Sequence, residues 1–380
     1  MKVVVAVDSF KGSMTSIEAG NAVAEGIRRA DAQAEVVVRP LADGGEGTVE
    51  ALVCGMNGEM QRMTVTGPLG KPVVCEYGII RESGTAVMEM SAAAGITMVS
   101  DEERNPLYTT TYGVGEMIRD AVSRGCRRFL VGLGGSATND GGVGMLQALG
   151  FGFLDKDGQQ VSQGAVGLKD LIRITDDQVI PELSQCQFRI ACDVTNVLCG
   201  DNGCSAVYGP QKGATPDMIR DMDEWLSHYA KLTHEKYPKA NACFPGTGAA
   251  GGLGFAFLSF THAVLESGIS IVLDELKLEE DMKDADVVVT GEGRLDGQTA
   301  MGKAPVGVAG LAKKYGLPVF AFSGSVTENA RACNESGIDA FFPILRGVVT
   351  LKEAMKPENA QNNMANTVEQ VFRLWCLKMK

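Results

Sequence analysis

The sequence predicts an α/β protein with a doubly wound parallel sheet formed by both chain ends and a second α/β domain, containing a mixed sheet, inserted between them. Two observations carry this. Apolar runs rich in Val alternate with helical segments near both ends of the chain, a rhythm that builds a parallel sheet covered on both faces. Between about residues 60 and 280 that rhythm gives way to a hairpin signal and unevenly spaced strands. The reading divides the 380 residues into 1–60 with 280–380 as the parallel domain and 61–279 as the insertion. A chain of this length is expected to hold more than one core. An insertion of this kind also predicts a cleft between the domains, where small-molecule sites tend to lie.

Residues 2–8 form the first apolar run. Thr15 with Glu18 makes a capping box, and Ile17, Gly20, Ala24 and Ile27 share one face of the helix that follows. Residues 35–42 read as the second strand, with a helix through Val53 after it. Met63 to Ile80 contains two strands around Gly67-Pro68-Leu69-Gly70, a hairpin signal. Further strands are expected at Ala86–Met90, Arg128–Leu133, Phe151–Leu154, Phe188–Cys192 and Ser205–Tyr208. An amphipathic helix is expected over Pro216–Lys236, and Gly248–Leu265 reads as one buried helix. Asp286–Thr290, Pro318–Ser323 and Ala340–Leu345 restore the parallel pattern.

Composition narrows the function classes. Hydrophobic residues make up 45% and charged residues 22%, a globular balance. The net charge of −12 repels a phosphate backbone, so a nucleic-acid role is disfavoured. The longest apolar stretch is broken by glycines, Thr261 and His262, which argues against a membrane span. Ten cysteines show no pairing frame, and most lie in apolar runs, as free thiols of a cytoplasmic protein do. Cys199 and Cys204 lack the companions a zinc site needs. His228, His234 and His262 are the only histidines, and none is placed to serve a serine hydrolase.

The 47 glycines cluster in short runs after expected strands. Ligands of open parallel sheets bind beyond the carboxyl ends of strands, so these runs are the candidate sites. Asp8-Ser9-Phe10-Lys11-Gly12-Ser13 heads a helix and suits a carboxylate or phosphate; a solvated Lys with a helix cap is its plain alternative. Asp43-Gly44-Gly45-Glu46-Gly47 offers acids for Mg²⁺ or a hydroxyl, or else acids that complement a helix dipole. Gly132 to Gly142, reading GLGGSATNDGG, has more glycine than a connection requires and reads as a phosphate cradle. Gly297 to Lys303 matches G-x-x-x-x-G-K, yet Ala304 replaces the hydroxyl that would hold Mg²⁺, and the preceding strand ends several residues too early for a P-loop. Asp193, just past a strand end, is a candidate base, with an Asx-turn as its plain alternative.

In order, DSFKGS, LADGGEGT, GLGGSATNDGG, ACDVTN, YGPQKGA, GTGAAGGLG and GEGRLDGQTAMGKAP resemble the bacterial glycerate kinase type-1 family over nearly the whole chain. The resemblance implies a flavodoxin-like domain with an inserted second domain. It also implies ATP- and Mg²⁺-dependent phosphorylation of D-glycerate to 2-phosphoglycerate. Val197 and Asp201 stand where the family pattern expects prolines, and Cys204 where it expects Ala, which changes the stiffness of that loop.

Phosphoryl transfer asks for positioning and charge neutralisation. Ser9, Lys11, Asp43, Gly44 and Asp296 are accordingly expected to bind glycerate, with Lys11 or Arg294 on its carboxylate. Asp193, or failing it Asp43, would take the hydroxyl proton. Lys303 and Lys212 would neutralise the transferring phosphate, and Arg294 completes the catalytic set. Gly134, Gly135, Ser136 and Asn139 would bind phosphate oxygens, and Asp140 and Glu292 would hold Mg²⁺. The expected partners are small molecules, with neither nucleic acid nor membrane; a homo-oligomer is compatible with this reading. The rival is an NAD-dependent oxidoreductase acting on a small hydroxy acid. Gly132-x-Gly134-x-x-Ala137 follows a strand, and Asp155 stands where a ribose-binding acid would.

Overall fold

The computed structural model describes residues 1–378. The chain separates into two compact units, Met1–Met56 with Ile269–Lys380, and Asn57–Gly268. The strands are numbered here in chain order. β1 (Lys2–Val7) and β2 (Glu35–Pro40) come first. β3 (Glu59–Thr66), β4 (Pro72–Ile80), β5 (Thr85–Glu89) and β6 (Arg128–Gly132) follow. β7 (Gly152–Leu154), β8 (Arg173–Thr175), β9 (Gln187–Ala191) and β10 (Ala263–Glu266) complete the second unit. β11 (Val287–Leu295), β12 (Val319–Val326) and β13 (Ala340–Pro343) return to the first.

The first unit carries a five-stranded sheet in the order β2-β1-β11-β12-β13, every pair parallel. Counted along its own strands this is the 2-1-3-4-5 order of flavodoxin-like folds, whose direction of winding reverses between its first and third strands. Here that switch lies between β1 and β11. Val3, Val4, Val5, Val287, Val288 and Val289 are fully buried, as a sheet covered on both faces demands. The helix Ser16–Ala30 packs on the helix Pro357–Lys378 so closely that a Cβ on Gly26 would lie 2.4 Å from the Ala365 carbonyl oxygen. Its capping box, Thr15 with Glu18, is present.

The second unit holds a mixed six-stranded sheet, β10-β9-β6-β5-β4-β3. β3, β4 and β5 pair antiparallel, while β5, β6, β9 and β10 are parallel. Phe129, Phe188 and Phe257 stack through its core, with Phe129 and Phe188 4.7 Å apart.

Four expectations need correction. Ser205–Tyr208 is not a strand but part of a short helix, Cys204–Tyr208, because a four-residue apolar run has no period long enough to separate the two. Phe151–Leu154 is a strand only as the three residues of β7, which pair with β8 outside the main sheet. The buried helix at Gly248 ends at Phe260, after a left-handed turn through Ala250, Gly251 and Gly252, and the chain continues as β10. Finally, β11 runs on through Gly291-Glu292-Gly293-Arg294 to Leu295. These residues are strand, not loop, held in register by Ser323 and Ser325 of β12.

Candidate active site

In the first unit the candidate side chains cluster at the carboxyl ends of β1, β2 and β11. The backbone N–H of Asp8 donates to the Gly291 carbonyl at 2.9 Å, placing Asp8 beside the switch point. Ser16 locks the surrounding loops: its hydroxyl donates to the Val7 carbonyl and accepts from the Leu41 N–H. Asp8 is only 5% exposed. Its Oδ1 accepts the Ser9 N–H at 2.6 Å. Burial first, then the nearby charge of Asp43, pushes the Asp8 carboxyl up to about 7; Glu292 adds to the shift and Lys11 opposes it. A cavity of about 360 Å³ opens here, lined by Asp8, Ser9, Lys11, Ser13, Glu46 and Glu50 among others.

The expected substrate residues are found around these strand ends. Ser9 is half-buried and Lys11 exposed. Asp43 turns its Oδ1 onto the Gly45 N–H at 3.1 Å, and Gly44 is buried with a φ of 92°. Glu292 is held up by burial, and its Oε1 accepts the Thr299 hydroxyl at 2.5 Å. Asp296 caps the next turn by accepting the N–H groups of Gln298 and Thr299, with Arg294 3.6 Å from its other oxygen. Lys11 and Lys303 have no ion-pair partner among the described residues, so both charges are available to an anion.

The length of β11 bears on Gly297–Lys303. The strand does reach the segment, so the argument that it ends too early fails. What still separates the segment from a P-loop is Ala304 and the direction of its amides. The N–H groups of Thr299, Met301 and Lys303 turn inward, to the carbonyls of Asp296, Gln298 and Thr299.

In the second unit the glycine-rich segment after β6 forms a long loop, and the next helix starts only at Val143. A dinucleotide fingerprint would pass into its helix within the motif itself. Asp155, the supposed ribose acid, accepts the N–H groups of Asp157 and Gln159 in a turn of its own. The loop is tied down at several points, among them Leu133 N–H to the Ala191 carbonyl, Ile96 N–H to the Gly135 carbonyl, Ala137 N–H to the Ala94 carbonyl and Gly141 N–H to the Gly251 carbonyl.

Most of its side chains are occupied. Asp140 is fully buried, and its carboxylate accepts the N–H and hydroxyl of Thr111 and the N–H groups of Gly142 and Gly144. Burial raises this carboxyl against the four hydrogen bonds that lower it. Asn139 is also fully buried and donates to the Ser205 hydroxyl. Lys212 is 2% exposed, and its ammonium donates to Ser136 Oγ at 2.9 Å and the Thr138 carbonyl at 2.6 Å. Desolvation brings its pKa down to about 8.

Several groups in the loop have no hydrogen-bond partner among the described residues, the buried Thr138 hydroxyl and Asn139 Oδ1 among them. The backbone N–H groups of Gly134, Gly135 and Ser136 donate to no acceptor among the described residues, and Gly134 and Gly135 are exposed. Successive amides of this kind form an anion-binding concavity. Asp193, beyond β9, is exposed, and its Oδ1 accepts the Gly268 N–H at 3.1 Å.

Sequence reasoning placed Asp8 in a candidate segment without giving it a role, and did not name Ser16, Thr111 or Thr299 as site residues. Only Asp8 carried a signal, an acid closing an apolar strand immediately before a loop of small polar residues. Among the described residues, no helix is long and apolar enough to cross a membrane.

The family model described as the glycerate kinase family matches residues 3–376. The chain is 46% identical to a glycerate 2-kinase of Escherichia coli, over 100% of this chain and 99% of that one. It is 45% identical to a glycerate kinase of Haemophilus influenzae over the full length of both. A crystal structure from Salmonella typhimurium, provisionally named glycerate kinase 2, superposes with a TM-score of 0.93 at 44% identity, covering 100% of this chain and 99% of that one. Matches of this length and identity leave one assignment: the chain belongs to the glycerate kinase family, and is an enzyme.

Proposed function

We propose that the protein transfers the γ-phosphoryl group of ATP to the 2-hydroxyl of D-glycerate, giving 2-phosphoglycerate and ADP. The observation that carries the phosphoryl part is the run of open amides at Gly134–Ser136, beside the Lys212 ammonium fixed to Ser136 and Thr138. Amides left without protein acceptors suit phosphate oxygens. The full-length relatives named glycerate kinase, one of them a glycerate 2-kinase, support the acceptor and its regiochemistry.

The roles follow from what each side chain has left to offer. Lys11 or Arg294 takes the glycerate carboxylate, with Ser9, Asp43, Gly44 and Asp296 around the hydroxyls. Lys303 neutralises charge on the transferring group. Lys212 acts through the loop: its ammonium is fixed to Ser136 and Thr138, so it presents the amides instead of touching phosphate itself. Asn139 supports the same loop from beneath.

The side chains do not form a protein cage for Mg²⁺. Among the described residues no three Asp, Glu, His or Cys side chains are grouped closely enough to hold a metal ion, both Asp140 oxygens are occupied by protein donors, and Glu292 is bound to Thr299. In this reading the ion enters with its nucleotide, as MgATP.

A coupled ADP-release assay with MgATP and D-glycerate, its product resolved by ³¹P NMR, tests the proposal. Turnover with a 2-phosphoglycerate signal is the expected result. A 3-phosphoglycerate signal would overturn the regiochemistry, and absence of ADP release would overturn the acceptor.

A further inference from the structure

We infer that Asp8 is the catalytic base of this reaction, the group that takes the proton from the attacking hydroxyl, in place of the more exposed Asp193 and Asp43. The inference rests on the glycerate kinase reading above and names the residue that performs its proton transfer.

Four features distinguish Asp8 from the other carboxylates. It stands at the carboxyl end of β1, where its N–H bridges to Gly291 of β11 across the topological switch point, the place where open α/β sheets bind their ligands. It lines the cavity of about 360 Å³, of the size that small-molecule sites occupy. Its side chain is oriented by a single short bond, from Ser9 N–H to Oδ1, while Oδ2 accepts no hydrogen bond among the described residues. It is nine-tenths buried, so little water competes for that oxygen. Asp193 and Asp43 likewise each accept a backbone N–H, from Gly268 and Gly45, but Asp193 is exposed and Asp43 only half-buried.

The step balances as follows. The substrate O–H bond breaks and its proton passes to Asp8 Oδ2. The hydroxyl oxygen forms a bond to the γ-phosphorus, and the bond from that phosphorus to the β,γ-bridging oxygen breaks, releasing ADP. Asp8 then returns its proton to solvent. A general base works best when its pKa lies near the working pH, and burial together with Asp43 and Glu292 brings the Asp8 carboxyl to about 7. The charged groups around it are Lys11 after β1, Glu18 at the head of the first helix, Glu46 and Glu50 across the cavity, Asp43 after β2 and Glu292 on β11.

The test is the Asp8→Asn protein in the ADP-release assay, with Asp8→Glu beside it. Asn keeps the acceptor for the Ser9 N–H and loses the basic oxygen. Asp8→Asn is expected to lower kcat by roughly 10²–10⁴-fold. Its KM for glycerate should stay within about threefold, and the acid limb that the wild type shows near pH 7 should disappear. Asp8→Glu, which retains a carboxylate at a longer reach, should recover part of the rate.

A thermal melt shows whether the variant is folded. The folded pKa of Asp8 is raised, so its charge costs stability above about pH 7 and nothing below the unfolded value near 4. Asp8→Asn should therefore melt above the wild type at pH 8 and level with it at pH 4. Wild-type turnover together with an equally fast, folded Asp8→Asn protein would overturn the inference alone. A wild type that fails to use D-glycerate would overturn the reading and the inference with it.

Discussion

The glycine loop after β6 and the loops at the ends of β1, β2 and β11 look alike in sequence, each a short run of glycines, acids and a nearby cation. The structure uses them in opposite ways. In the first, Asp140, Asn139 and Lys212 are all buried and hydrogen-bonded to protein partners, while Gly134 and Gly135 are exposed with N–H groups that find no acceptor among the described residues. In the second, among the described residues, Lys11 and Lys303 lack ion-pair partners and Asp8 holds one oxygen without a donor. One region stores its polar groups as architecture, and the other keeps them available. A motif therefore shows where polar groups gather, while burial and partners decide whether any remain for a ligand.

That contrast breaks if stability and activity fail to separate. The largest expected effect is that of Asp140→Ala, which orphans four buried donors. Leaving such groups unsatisfied should cost about 4 kcal/mol, a fall of roughly 10 °C in the melting transition of this unit by calorimetry. Gly251→Ala comes next. Gly251 has a φ of 68°, and a Cβ there would lie 2.0 Å from the Thr138 carbonyl oxygen, so the loop and the following helix must move apart. A loss of about 2–3 kcal/mol is expected, read from urea denaturation as a lower midpoint.

The smallest effect on stability should come from the other region. Lys11→Met and Arg294→Met alter exposed side chains, so their midpoints should move by less than about 0.5 kcal/mol. Their kcat/KM with glycerate should nonetheless fall roughly a hundredfold. A Lys11→Met protein that melts early and turns over normally would reverse the comparison.

Much of the fold was legible because its signals are local. The Val runs of β1 and β11 have no reading other than buried strands, and Thr15 with Glu18 announces a helix start wherever it falls. What escaped depended on distant partners. Glu292 and Arg294 sit among glycines and read as loop, yet pairing with Ser323 and Ser325 of β12 makes them strand. Lys212 read as a phosphate clamp because nothing adjacent shows that Ser136 and the Thr138 carbonyl, more than seventy residues earlier, enclose its ammonium. Asp8 read as the end of a strand, since nothing local shows that Asp43, after β2, and Glu292, on β11, lie near enough to raise its carboxyl.

The strand order of the first unit also constrains how the chain is made. β1 forms the middle of its sheet only when β11 pairs with it, and β11 begins at Val287, after the whole of the second unit has been synthesised. At ribosomal speeds of about 5–20 residues per second, that interval is on the order of ten to fifty seconds. Throughout it, the apolar edge of Val3–Val7 awaits its partner, and Asn57–Gly268 acquires every strand of its own sheets before β11 emerges. The N-terminal segment, first to emerge, is thus among the last to be completed.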